Sequence, residues 1–413
     1  MIRSMYAAVS GLRAHQNMMD VVGNNIANVN TTGFKRSSII FQDILSQTMQ
    51  GASEPQSGFG GTNPMQIGLG TKVAAITPSL SQGALQRTGR PLDVAIEGDG
   101  FFVVSQSGES LFTRAGAFYV DEAGNVVTPA GGRIQGWGAT AAGGVDTTTP
   151  PGNLLLPVGD LIPPSTTTSV TLGGNLGANE DLGTVERSGV DIYDSQGSPI
   201  TIDIAFTKTA TNEWTVSATY GDPAVAITLT DNVVTFDTNG EIASPIDFEI
   251  DAAAGAVLGV GAFVLGLGAS TDARKVTQYG EVTSVSVITQ DGSATGALQS
   301  LSVGQDGVMI GAYSNGRVQP IGQLAVAIFA NAEGMERVTG TNFRQTPNSG
   351  LPQIGPSGSG GRGIIASGSL EMANVDLAEE FTQLIVSQRG FQANSRVVTA
   401  SDELLQEIVN LKR

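Results

Sequence analysis

Residues able to act as nucleophiles, acids or bases are few and poorly grouped. The chain has one histidine, His15, and no cysteine, which excludes thiolate nucleophiles, iron–sulfur ligation and a disulfide framework. A serine triad or a histidine-containing zinc site would have to recruit His15, which falls on an N-terminal helix beside an apolar stripe and reads as a helix-surface or interhelix side chain. Two close carboxylate pairs, Asp191 with Asp194 and Asp247 with Glu249, have the chemistry of a glycosidase acid and base. Their acidic surroundings favour a solvated face instead. No G-x-x-x-x-G-K-[ST] phosphate loop or G-x-S-x-G elbow occurs. The glycines at 58, 60, 61, 68 and 70 do not open a helix after a strand and read as a flexible loop. Asn30-Thr31-Thr32 is a nominal glycosylation sequon, uninformative without a secretory signal. These residues predict no enzyme, no metal site and no cofactor.

The elements that would position any site follow from composition. With 413 residues the chain is long enough for two to four domains, and 40% hydrophobic content argues against global disorder. The 55 glycines lack a collagen period and point to many turns and short strands. A formal charge of −17 argues against a nucleic-acid surface. Residues 141 to 284 carry 18 acidic and only 4 basic side chains, so one middle domain holds most of the charge. The longest apolar run near the N-terminus, Met5 to Val9, is too short for a secretory h-region, and no cleavable export signal is expected. Residues 252 to 269 contain no polar or charged side chain, but their Ala and Gly content predicts a Gly-rich turn entering a buried strand at Phe263 to Leu267, with no membrane insertion.

Two helices are predicted at the ends. In the first 30 residues Met5, Val9, Leu12, Met19 and Ile26 follow a 3-4 spacing, and the same spacing near the C-terminus runs through Leu377, Phe381, Leu384, Phe391, Val398 and Leu405. Asn374 reads as the N-cap of the second helix, with Asp376, Glu379 and Glu380 favouring its positive dipole end. Gly390 inside that helix costs about 1 kcal/mol relative to Ala, so the helix is expected to need assembly to be straight and ordered. Narrow stripes seek other helices, and the two ends are expected to pair as a coiled coil, within one subunit or among many. Between them, short apolar runs separated by turns predict antiparallel sandwiches or barrels. The fold class is thus multidomain and mainly β with terminal α-helices. The expected partition is 1–30 with 375–413 as the coiled coil, 31–70 with 356–374 as a flexible connection, 71–140 with 285–355 as an inner β domain, and 141–284 as an outer acidic β domain.

The segment Asn24-Asn25-Ile26-Ala27-Asn28-Val29-Asn30-Thr31-Thr32-Gly33-Phe34-Lys35 reads as a helix end and sharp turn. It also closely resembles a signature of bacterial flagellar axial proteins of the rod and hook family. Leu92 to Val104 with Phe112 to Gly116, and Gly368 to Leu377 with Gln388 to Asn394, match the same family in the same order. Rod members are usually shorter, so the large middle segment resembles hook members, with a rod role as the alternative; the match is thin over 221–280. The resemblance implies a structural subunit exported unfolded by the flagellar type III apparatus without cleavage. It also implies polymerisation into a flexible tube, with rod, hook cap and hook–filament junction proteins as partners. It assigns Met5, Val9, Leu12, Met19, Ile26, Leu377, Phe381, Leu384, Phe391, Val398 and Leu405 to the assembly coiled coil, and Asn25, Asn28, Thr32, Gly33, Phe34 and Lys35 to the signature turn.

Overall fold

The computed structural model describes residues 2–55, 60–140, 143–157, 159, 161–221, 225–227, 229, 232–244, 247–250, 259–268 and 275–411. Helices α1 (Ile2–Ala27) and α2 (Leu377–Leu411) bracket a chain whose described residues are otherwise strands, turns and a short 3-10 helix, Ala332–Gly334. The Asp376 carboxylate caps α2, accepting from the backbone N–H groups of Ala378 at 2.8 Å and Glu379 at 3.3 Å. The expected cap, Asn374, has a different task. Its side-chain oxygen accepts from the Arg36 N–H at 2.8 Å while its amide donates to the carbonyls of Ser79 and Ser81. A residue two positions before the cap is free to tie the helix entrance to the other end of the chain.

The chain forms two compact units. The first comprises the described parts of Met1–Leu156, Leu301–Ile310 and Pro320–Arg413, and the second those of Pro157–Ser300 and Gly311–Gln319. In the first, Phe101–Gln106 and Glu109–Thr113 form a hairpin whose Ser107 and Gly108 both have positive φ, the requirement of a tight primed turn. Phe101 and Phe102 pair with Val326–Ala327, and Phe112 and Thr113 with Asn342–Phe343, so the core forms from both ends of the sequence. Phe101, Phe112, Trp137, Ala327 and Phe343 fill it, with the Phe112 and Phe329 rings edge to face at 4.8 Å.

Residues read as a flexible connection contain regular structure. Ser37–Asp43 pairs antiparallel with Thr71–Pro78, and Ser46–Gln50 with Met65–Gly68, making a two-step arm. Both ladders are two-stranded, and Ile40, Ile44, Leu45, Met49 and Met65 are exposed on them and at their junction. The glycines predict a loop here, whereas the β-branched Ile39 and Ile40 with Phe41 favour the strand that forms.

In the second unit, Val185–Tyr193, Pro199–Ala210 and Glu213–Tyr220 form successive antiparallel ladders, and alternate residues such as Ile202, Ile204 and Phe206 point inward. They share a core with a second sheet in which Ser169–Asn175 lies parallel to Phe263–Gly266 and antiparallel to Ser286–Gln290. The parallel pairs differ from the purely antiparallel expectation, because partners joined by a long excursion need no hairpin. Phe263, Leu265 and Leu267 are buried as expected, while residues 251–258, 269 and 270 lie outside the described residues. Among described residues no helix is long and apolar enough to cross a membrane. Phe206 is fully buried in this core, so Phe206→Ala should destabilise the unit by about 3–5 kcal/mol in denaturant titration, whereas truncating the exposed Val318 should change the unfolding free energy by no more than about 0.5 kcal/mol.

Candidate functional site

Helix α1 ends through its own side chains. Asn28 donates to the Asn24 carbonyl at 2.9 Å, and the Thr31 hydroxyl donates to the Asn28 side-chain oxygen at 3.2 Å. Gly33 then adopts φ +69°, and a Cβ there would lie 2.5 Å from the Ala115 nitrogen, so glycine is needed for both the turn and the close approach. The turn delivers Phe34 and Lys35 into the protein. Phe34 is buried with the Arg337 guanidinium 4.8 Å above its ring, and Arg337 also donates to the Lys35 carbonyl.

Lys35 and Glu371 have fully buried side chains joined at 2.5 Å, and the guanidinium of Arg114, 2% exposed, lies 3.5 Å from the second Glu371 oxygen. The Gly83 N–H donates to Glu371 at 2.9 Å, the Lys35 ammonium donates to the Ser81 carbonyl at 2.7 Å, and the Gly33 N–H donates to the Glu371 carbonyl at 2.8 Å. One carboxylate thus holds the N-terminal turn, the β core and the strand Ser369–Glu371 that leads to α2. Burial pushes the Lys35 ammonium below its ordinary range, while the Glu371 carboxylate acts in the opposite direction. Burial does the same to Arg114. Thr32 is half-buried on the same turn.

A second tier begins one helical turn on. Asn25 is buried and bridges three segments: its amide donates to the Ser37 carbonyl at 2.9 Å and to the Glu380 carboxylate at 3.1 Å, and its oxygen accepts from the Ser37 N–H. Arg36 pairs with the exposed carboxylate of Glu379 at 2.8 Å and approaches Glu380 at 3.8 Å. Burial raises the Glu380 carboxyl above its ordinary range, opposed by the Asn25 amide and Arg36.

From there the two helices run antiparallel with small and polar side chains between them. Ala8, Gly11, Ala14, Val22 and Asn25 are buried on α1, and Glu380, Ser387 and Ser401 on α2. The Ser387 hydroxyl donates to the His15 carbonyl at 2.7 Å; a Cβ on Gly11 would lie 2.8 Å from the Asn394 amide nitrogen, and one on Gly390 would overlap the His15 imidazole. The close helix crossing is thus a reason for Gly390 that the periodicity did not reveal. Met5, Val9, Leu12, Met19 and Ile26 are half-buried beside this seam, as are Leu384, Val398 and Leu405. Leu377, Phe381 and Phe391 are exposed, together with Ile385, Val386 and Val397.

None of the sequence expectations gives Arg114 or Glu371 a role. The available signal was a charge inside an apolar strand, Leu370-Glu371-Met372, which calls for a partner of opposite sign. Of the four carboxylates with acid–base chemistry, Asp191 and Asp194 hold a strand pair and a turn. Asp191 accepts from Thr201, and Asp194 accepts from the N–H groups of Gln196 and Ser198. Among described residues no group of three potential ligands is placed to hold a metal.

Comparison with known proteins matches four family descriptions along the chain: "Flagella basal body rod protein" over 5–35, "Flagellar hook protein FlgE/F/G D1 domain" over 95–220, "Flagellar basal body protein FlaE D2 domain" over 176–293, and "Flagellar basal body rod FlgEFG protein C-terminal" over 366–411. The flagellar hook protein FlgE of Borreliella burgdorferi is 41% identical over 448 residues, covering 100% of both chains. The flagellar basal-body rod protein FlgG of Bacillus subtilis is 31% identical over 414 residues, again covering 100% of both. A crystal structure of Helicobacter pylori flagellar hook protein FlgE2 aligns with TM-score 0.53 and 15% identity over 70% of this chain and 100% of that one, a likeness of fold.

Two outcomes follow from the buried charges. Glu371→Ala leaves two buried cations without their anion and should destabilise the first unit by about 3–5 kcal/mol in denaturant titration, more than Arg36→Ala at the exposed pair. Because the Glu380 carboxyl is raised in the folded state, its contribution to stability is full below the ordinary carboxylate range and is lost as pH rises through the folded value. Glu380→Gln should remove that pH-dependent part, seen as a flatter denaturant midpoint between about pH 4 and 7 than in the unaltered chain.

Proposed function

The chain belongs to the flagellar hook protein family, and from that premise we propose that it polymerises into the flexible curved tube that carries torque from rod to filament. Members of this family are structural subunits of the flagellar hook, and this chain is one. The observation that carries the mechanical reading is the contrast between the two faces of α2. The face toward α1 is small and polar, while Leu377, Phe381 and Ile385, successive turns of one row on the other side, are exposed, and Val386, Phe391 and Val397 are exposed along the margins of the seam. A row of exposed apolar side chains on a long helix gains burial only when other subunits cover it, which couples ordering of the ends to assembly. Repeated head-to-tail contacts that do not close on themselves generate a helical tube.

In this reading the inner layer is built from the terminal helices 1–30 and 375–413, with Met5, Val9, Leu12, Met19, Ile26, Leu377, Phe381, Leu384, Phe391, Val398 and Leu405 among its contacts. Residues 31–70 and 356–374 connect it to an inner β domain of 71–140 with 285–355. The acidic block 141–284 is placed outermost, where like-charge repulsion between neighbours favours solubility and sliding over tight locking. Rod, hook-cap and junction proteins are the expected axial partners, and export through the flagellar type III apparatus without a cleaved signal is the expected route. No catalytic role is proposed. The rod alternative rests on the lower-identity rod relative.

The test is a chain reduced to residues 31–374, which retains Lys35, Arg114 and Glu371. It should remain a soluble, β-rich monomer under conditions where the full chain forms tubes in electron micrographs. Tubes from the reduced chain would overturn the assignment of assembly to the terminal helices.

A further inference from the structure

Among the described residues, the antiparallel register of the two helices leaves one end of α2 without α1 beside it. Gly11 lies against Asn394, His15 against Gly390 and Asn25 against Glu380, so the numbers of facing residues sum to about 405 and Ile2 falls level with residue 403. The described residues 404–411 therefore extend α2 by about 12 Å beyond α1. Leu404 and Ile408, one turn apart on one face of this extension, are each 50% exposed, and Glu403 and Glu407 flank them as exposed carboxylates.

A groove of complementary character lies elsewhere in the same unit. It has a volume of about 530 Å³, opens between α1 and the arm, and has apolar walls from Val9, Ile44, Leu69 and Val73 with Arg13 and Lys72 at its polar positions. Its lining on α1 runs from Tyr6 to Asn17, about 16 Å of helix, enough to seat two helical turns. The arm is held against α1 here by the Thr71 N–H donating to the Ser10 hydroxyl at 3.2 Å.

We propose that the last two turns of α2 of one subunit dock in the groove between α1 and the arm of a second copy. Leu404 and Ile408 enter the apolar walls, and Glu403 and Glu407 meet Arg13 and Lys72. The occupant cannot be the same chain's own helix end: Lys72 sits level with Ser10, about 13 residues or 20 Å along the helix pair from Ile408, so the contact is available only between copies. This inference rests on the tube-forming reading above and names one of its subunit contacts. It also gives the arm a purpose, as the second wall of a socket.

The absence of cysteine from the chain makes the contact directly testable. The full-length double variant Val73→Cys with Ile408→Cys, a wall residue with the side chain that enters it, is assembled into tubes, oxidised with copper phenanthroline and run on a denaturing gel. Disulfide-linked ladders are expected, because bridging requires Cα atoms within about 7 Å, and a control pairing Val318→Cys with Ile408→Cys should give none. Tubes without ladders, or equal ladders from the control, overturn the docking and leave the tube reading intact. If the unaltered chain forms no tubes, the tube reading fails and the docking falls with it. Should the cysteine variant itself not assemble, charge exchange decides: Arg13→Glu with Lys72→Glu, and separately Glu403→Lys with Glu407→Lys, should each reduce sedimentable polymer about tenfold, and their combination should restore it. Reversals without effect, or a combination no better than either half, overturn the proposal.

Discussion

A buried carboxylate cannot stand alone, and Glu371 is the point from which much of the first unit is organised. Desolvating its charge is tolerable only with cations brought to it, and these come from distant segments: Lys35 from the turn after α1 and Arg114 from the β core. To place Lys35, the chain must turn sharply at Gly33 and pass close to Ala115. To place Glu371, the strand Ser369–Glu371 must pair with Leu85–Arg87. The entrance of α2 is then fixed within reach of Asn25 and Arg36. The two ends of the sequence are joined at their roots by polar contacts whose directionality sets one geometry.

Beyond that anchor the helix pair uses a different physics. Gly11, Ala14, Ser387 and Gly390 let the helices approach closely, but such residues bury little apolar area, so the intramolecular seam adds little hydrophobic stabilisation. The larger apolar side chains are half-buried or exposed. Rigid attachment at the base with an unsatisfied surface along the shaft suits a subunit completed by its neighbours. In the proposed tube, the anchor would carry load between the inner helices and the β domains while the contacts between subunits shift.

The parts of this arrangement visible in the sequence were those with a local signature. The 3-4 spacing revealed both helices, and runs such as Ile200 to Phe206 revealed strands because alternation and turn residues lie within a few positions of one another. The buried charge node was not legible in the same way, since Lys35 and Glu371 are 336 positions apart and neither carries a mark of its partner. The α1 seam was displaced from the apolar stripe because Ala8, Gly11 and Ala14 have too little side chain to register as hydrophobic. The arm's glycines predict a loop and outweigh the strand-forming side chains from Ile39 to Phe41. The parallel pairing of Ser169–Asn175 depends on strands roughly 95 residues apart, which no local pattern encodes.

The most direct test of the central claim is electron microscopy of basal bodies isolated from cells in which this gene is deleted in frame. The account predicts complete rods that end without a hook. Missing or shortened rods would contradict it in favour of a rod subunit, and intact hooks bearing filaments would contradict it altogether.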